Sequence, residues 1–278
     1  MIKTLLRNSD QFAQLLTLLE GAEECNLYQL DILENSAQTF VHEWSGVFDE
    51  GRLVAASLSS NRPFPGIPSG LCVPYGDPKA CQILGEWERQ KGGTRHLFGE
   101  RTAIHAFYQG LGSPAYKVHC EERLFRADFI PEEDTYLPLS PVAVEEADSI
   151  IEMAAQMQEE DLGFNPLKQF RESFIHSVHN RVREERFLAG RMDGKIVFLI
   201  DSGTKCSRGV QVGNTFVPIE YRRQGFGRKG MRGCLQYFIP HYPVVTFVAR
   251  ESNIPAIKTH QRAGYTPTVP FQMIIMHE

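Results

Sequence analysis

Residues 210–230, VQVGNTFVPIEYRRQGFGRKG, constrain this chain more than any other stretch. The apolar run from Val210 to Val217 reads as a strand. Pro218 and the polar segment Ile219-Glu220-Tyr221 end it. Arg222-Arg223-Gln224-Gly225-Phe226-Gly227 then forms a glycine-containing turn, and RKGMRGCLQYF reads as a helix. A strand, a turn and a helix N-terminus make an anion site, because the first amides of a helix lack internal partners and the macrodipole is positive there. Glycine lets the backbone come close to a phosphate. Arg222, Arg223, Arg228, Lys229 and Arg232 gather positive charge at the same place, so the expected ligand carries several phosphates.

Two signatures compete for this stretch. Positions 225–230, GFGRKG, satisfy the dinucleotide pattern GxGxxG, and Glu251 stands about twenty residues on, where a ribose-binding acid is expected. Against it, a proline and a charged segment separate the strand from the first glycine, and too little chain follows for the remaining parallel strands. The stretch is more similar to the acyl-CoA signature of the GNAT superfamily of N-acetyltransferases, V-x-P-x-x-R-x-x-G-x-G/A, with one residue fewer before the proline. Val217, Pro218, Arg222, Gly225 and Gly227 carry that resemblance. A second signature of the superfamily, N-x-x-A-x-x-x-Y-x-x-x-G-F/Y, follows as NIPAIKTHQRAGY from Asn253 to Tyr265.

The 278 residues suffice for one large domain or two ordinary ones. Hydrophobic content of 42% and charged content of 23% are those of a globular protein outside the membrane. A net charge of −5 argues against a nucleic-acid partner, whose footprint would be basic. No apolar run is long enough to span a bilayer, and MIKTLLRNSDQF lacks the apolar core of a signal peptide. The six cysteines have no CxxC spacing, which fits free thiols in the cytoplasm. His176 and His179 have no partners at ligand spacing, so no metal is expected.

Residues 1–135 read as an α/β unit. Ser9 or Asp10 caps a first helix over FAQLLTLLEGA, and a second helix covers residues 25–35. FVHEWSGVFDEGRLVAASLSS is a hairpin turning at Asp49-Glu50-Gly51. A short strand over 70–75 precedes a helix with Asp77 as cap and Pro78 at its first position. A strand over 94–98, a helix over ERTAIHAFYQGLG and a closing strand pair in AYKVHCEERLFRADF complete it. This order resembles a GNAT fold, but the phosphate turn is replaced by VPYGDPKAC, with an aspartate and no arginine. PEEDTYLPLSP reads as the linker.

Residues 136–278 repeat the order. They read as a first strand in SPVAVEE, a helix over EADSIIEMAAQMQEEDLG, and a second over NPLKQFRESFIHSVHNRVREE with Phe170, Phe174, Ile175, Val178 and Val182 inward. A hairpin follows at Asp193-Gly194, then the central stretch, a strand VVTFVARESN, a helix PAIKTHQRAG and a last strand FQMIIMHE. The expected fold class is therefore α/β with a mixed sheet: tandem GNAT-like domains, each a mostly antiparallel twisted sheet flanked by helices. Bacterial two-half GNAT proteins with a degenerate N-terminal half are the resemblance.

That resemblance implies an acetyl-CoA-dependent N-acetyltransferase acting by direct transfer to a primary amine of a small molecule or protein, with a non-catalytic acyl-CoA-binding regulator as the alternative. It puts the pantetheine arm beside Phe216 and Val217. The pyrophosphate falls on Arg222, Arg223, Gln224, Gly225, Phe226, Gly227 and Arg228, and Asn253 and Ala256 belong to the arm's surroundings. His260 occupies the place of the superfamily's tyrosine, read as the acid that protonates the leaving thiolate, a role a histidine can fill near neutral pH. A surface histidine without a role is the other reading. No general base is evident. Glu159, Glu160 and Asp161 read as a solvated run or a base acting through water, and Glu251 is a further candidate. The acceptor and the oligomeric state are not fixed by these residues.

Overall fold

The computed structural model describes residues 1–5, 9–35, 42–61, 69–132 and 135–277. Phe40 and Val41 of the first hairpin and Glu133 and Asp134 of the expected linker lie outside them. The chain divides into two compact units, neither contiguous in sequence.

Unit 1 comprises Met1–Leu124, Val248–Ser252 and Thr268–Glu278. Its elements are β1 (Ile2–Thr4), α1 (Asp10–Glu20), α2 (Glu23–Asn35), β2 (His42–Asp49), β3 (Arg52–Ser60), β4 (Leu71–Gly76), α3 (Pro78–Lys91), β5 (His96–Glu100), α4 (Arg101–Gly110) and the start of β6 (Tyr116–Ala127). The hairpin between β2 and β3 turns through Glu50 and Gly51, at φ 46° and 83°. Strands β1 to β4 pair antiparallel in sequence order, and β5 joins β4 in parallel. On one sheet face Val47, Ala55, Cys72 and Leu97 form a core with Leu84 of α3 and Ile104 and Phe107 of α4.

Unit 2 comprises Phe125–Phe247 and Asn253–Pro267. Its strands are β7 (Leu139–Pro141), β8 (Phe187–Met192), β9 (Lys195–Cys206), β10 (Gly209–Phe216) and β11 (Val245–Arg250), the last begun here. Its helices are α5 (Ile151–Leu162), α6 (Pro166–Gln169), α7 (Arg171–Arg183), α8 (Phe226–Phe238) and α9 (Ile254–Ala263). Strands β7 to β10 pair antiparallel in order, and β11 joins β10 in parallel. Ala154 and Met157 of α5 and Phe174, Val178 and Val182 of α7 pack on Phe187, Leu199 and Phe216. The opposite face receives α8, where a Cβ on Gly230 would stand 2.4 Å from Cγ of Phe198. That contact lets the helix backbone lie directly on an aromatic ring. Each unit is thus a mostly antiparallel sheet with one parallel pair, flanked by helices.

Four elements differ from the sequence expectation. β6 is one strand of 12 residues, not a pair. Its sequence holds no glycine, proline, asparagine or aspartate on which to turn. Val142 and Val144 fall outside the short β7, and residues from Val144 to Ile150 form a 3₁₀ helix. The expected long helix breaks at Phe170, whose φ of −136° and ψ of 36° are not helical. Asn165 and Pro166 start their own four-residue helix, and Phe170 is 42% exposed rather than inward. The last strand, β12 (Thr266–Met276), pairs antiparallel with β5 from Phe271↔Glu100 to Ile275↔His96, so most of it belongs to unit 1.

Candidate functional site

In unit 2, β10 and β11 pair only at Val210↔Val245 and Gln211↔Thr246. Beyond Gln211, β10 no longer bonds to β11, and it bulges. Its register with β9 shifts between Gln211 and Gly213 and again between Gly213 and Phe216, with Asn214 at φ 51°. A bulge re-aims the strand and ends its pairing. The sequence carried only the weak signal of Gly213-Asn214 for it. Phe216 is buried, Val217 half-buried, and the chain leaves them through Pro218 and a 3₁₀ turn over Ile219–Tyr221.

The arginine turn follows. Arg222, Arg223, Gln224 and Gly225 are exposed, while Gly227 and Arg228 are half-buried. Arg223 has φ 63° and Gly225 φ 86°, and Gly225 is the N-cap of α8 without any side-chain cap. The first-turn amides of α8 are therefore left for a ligand or water. A Cβ on Gly227 would meet Cγ2 of Thr259 at 3.5 Å and Cγ2 of Val217 at 3.9 Å, which is ordinary contact.

The arginines divide their work. Arg222 folds back: Nε donates to the Val217 carbonyl at 2.9 Å, and Nη2 donates to Glu160 Oε1 at 2.6 Å. Its guanidinium lies 5.5 Å from the Phe216 ring centre. It braces the turn from behind, and Glu160 is spent on that contact. Glu159 accepts from Asn165 Nδ2 at 2.8 Å. Arg232 is buried and donates to the Arg262 carbonyl at 3.0 Å, so it is a strut of unit 2 rather than part of the exposed charge cluster. Nothing in the sequence separated Arg232 from its neighbours, because spacing alone does not tell burial.

Asn253 is the N-cap of α9, its Oδ1 accepting from the Ala256 amide at 3.2 Å; Asn253 is exposed and Ala256 half-buried. His260 is 5% exposed. Its ring centre lies 4.0 Å from that of Phe247 and 6.4 Å from that of Tyr265, and its Nδ1 has no hydrogen-bond partner among the described residues. Burial lowers its pKa to about 4. The imidazole is therefore neutral at pH 7 and is not a surface residue. Glu251 belongs to unit 1 and pairs with Arg123 at 2.7 Å and Arg101 at 3.1 Å. Burial pushes its pKa up, but the two guanidiniums outweigh that and hold it below the ordinary value.

The corresponding turn of unit 1 is chemically opposite. Asp77 caps α3, its Oδ1 accepting from the Ala80 amide at 3.0 Å. A carboxylate thus occupies the helix end where a phosphate would sit. Among the described residues no group of three histidine, cysteine or acidic side chains could hold a metal, and no helix is long and apolar enough to cross a membrane. None of the six cysteines is in a disulfide; Cys25 and Cys120 are half-buried and the other four buried.

No protein-family profile and no curated protein matches this chain in sequence. Solved structures do match it over its whole length. It is similar to a GCN5-related N-acetyltransferase from Sphaerobacter thermophilus, at 14% identity, with 99% of this chain and 94% of that one covered and a TM-score of 0.60. It is similar to a tandem GNAT protein from the clavulanic acid biosynthesis pathway, at 16% identity, covering 100% and 99% with a TM-score of 0.55. An acetyltransferase of the GNAT family from Colwellia psychrerythraea matches at 12% identity, covering all of both chains with a TM-score of 0.55. A parallel strand pair in each unit that parts after two residues, together with these full-length matches, gives the chain its place: it has the tandem GNAT fold.

Proposed function

We propose that this chain is an acetyl-CoA-dependent N-acetyltransferase, with its acyl-donor site in residues 136–278 and a degenerate GNAT-like half in residues 1–135. The observation that carries this reading is the exposed turn from Arg222 to Gly225, which ends at the uncapped N-terminus of α8, set against the carboxylate-capped α3 of unit 1. A pyrophosphate on that turn would accept the amides from Arg223 to Arg228, with the Arg223 and Arg228 side chains beside it. The pantetheine arm would take up β10 backbone groups near Phe216 and Val217, where β11 has stopped pairing. A backbone N–H there would polarise the thioester carbonyl.

The rest of the chemistry is attack by a neutral amine on the thioester, expulsion of the thiolate and its protonation. His260 enters this reading as a neutral imidazole, because burial leaves little imidazolium at pH 7. A neutral imidazole does not supply a strong acid. Glu160 and Glu251 are engaged with arginines, and in this reading the amine arrives deprotonated or loses its proton to water. The acceptor is a primary amine on a small molecule or protein, and the donor needs no metal.

Calorimetry with acetyl-CoA should give one site per chain. Release of free CoA thiol, followed across a panel of primary amines, then tests turnover. Two equivalent acetyl-CoA sites would refute the degenerate half. Tight binding with no thiol release for any amine would leave a non-catalytic acyl-CoA-binding protein.

A further inference from the structure

Unit 1 carries an open cleft of about 640 Å³, within the size range of small-molecule sites. It lies where β4 and β5 separate. These parallel strands pair only at Leu71↔His96 and Cys72↔Leu97, and their carboxyl ends, Tyr75-Gly76 and Glu100, line the cleft. In sheets with parallel strands, the crevice outside the carboxyl ends is where ligands bind. The rest of the wall comes from α1 and the corner leading into α2, through Thr17, Leu18, Ala22 and Cys25. Leu53, Val54 and Val269 complete an apolar side.

The polar lining selects a charge. Asp77 and Glu100 are carboxylates, with the exposed Arg52 as the one cation among the described lining residues. Glu100 accepts from the Thr102 and Ala103 amides at 2.9 and 2.8 Å, and Asp77 from the Ala80 amide. The ends of α3 and α4 are thereby closed to a phosphate. Gln14 is also engaged, accepting from the Leu53 amide at 2.8 Å. Burial, with the charges of Glu24 and Glu100 adding to it, pushes the Cys25 thiol up to about 12. Burial, with Cys25 and Glu100 adding, likewise raises Tyr75, so both line the cleft as uncharged groups.

We infer that unit 1 holds a second small-molecule site, for an organic cation whose ammonium meets the Asp77 and Glu100 carboxylates and the Tyr75 hydroxyl, and whose apolar body lies against Leu18, Leu53 and Val269. The site does not depend on the acetyltransferase reading, since every residue in it belongs to unit 1.

Calorimetric titration of the full chain without acetyl-CoA tests it, using phenethylamine and its neutral and anionic counterparts 2-phenylethanol and 3-phenylpropionate. The amine should saturate one site, the alcohol should bind at least about tenfold more weakly, and the carboxylate should not bind. Asp77→Asn keeps the α3 cap, because asparagine caps as well as aspartate, and should weaken the amine about two- to fivefold. Thr17→Trp, on an exposed helix position, fills the cleft and should abolish binding. Gly227→Asp, outside unit 1, should leave phenethylamine affinity unchanged, which separates this site from the acyl-donor turn. Equal affinity for amine and alcohol would overturn the inference. So would binding that survives both Asp77→Asn and Thr17→Trp, or an amine that fails to saturate below about 10 mM.

Discussion

Gly227→Asp should separate ligand binding from folding. Gly227 is the second residue of α8, counted from the N-cap Gly225. The space at its Cβ is bounded only by methyl groups at 3.5 and 3.9 Å, so an aspartate enters without moving the backbone. A carboxylate in the first turn of an uncapped helix gains about 0.3–1 kcal/mol from the macrodipole. Stability to urea should therefore stay level or rise. Binding should suffer the reverse. With a pyrophosphate placed on the turn as proposed, the new charge would stand about 4 Å from a phosphate, and like charges at that distance repel by about 4 kcal/mol at an effective dielectric of 20. That is a loss of about 10³ in acetyl-CoA affinity. Calorimetry gives the affinity, and urea unfolding of the same preparation gives the stability. A variant that folds as well as the native chain and binds acetyl-CoA with unchanged affinity would show that the pyrophosphate does not use this turn.

Three further outcomes are expected. Gly230→Ala should cost about 1–3 kcal/mol in urea unfolding, because its methyl collides with the Phe198 ring; a cost near zero would mean that α8 shifts freely on the sheet. Asp201 is 3% exposed and ion-paired with Arg181 and Arg186, so Asp201→Ala should destabilise by about 3–5 kcal/mol, while Arg183→Ala nearby on α7 should change little. His96 and His260 are each lowered by burial from 6.5 to about 4. Between those values the unfolded chain binds the protons first, so stability is complete above pH 6.5 and is lost as pH falls toward 4, by about 3 kcal/mol per histidine. Unfolding midpoints from pH 8 to 4 should show this slope, and His260→Phe should remove about half of it. An unchanged slope in that variant would place the titration elsewhere.

Local signals were legible in the sequence wherever one residue type had one geometric consequence. Asp49-Glu50-Gly51 and Asp193-Gly194 specified tight hairpins, Asp77-Pro78 a helix start, and Gly264 a helix end in the left-handed region. The strand–turn–helix around Gly225 was readable for the same reason: its arginines and glycines fit an uncapped helix start.

Where a chain segment goes was decided only by tertiary structure. β12 has the apolar run of any last strand, yet it pairs with β5, because pairing depends on which sheet edge stands open and not on the strand's own pattern. His260 and Arg232 look like surface residues of two amphipathic helices. Packing against Phe247 in one case, and the Arg262 carbonyl in the other, buries them and changes their chemistry. Phe170 fits a helical stripe, but the separate start at Asn165-Pro166 takes it out of register. The sequence by itself determined the turns, the caps and the uncapped helix start at Gly225, since these depend on backbone geometry within a few positions. The tertiary structure decided burial, strand partnership and the β10–β11 separation, since each depends on residues far apart along the chain.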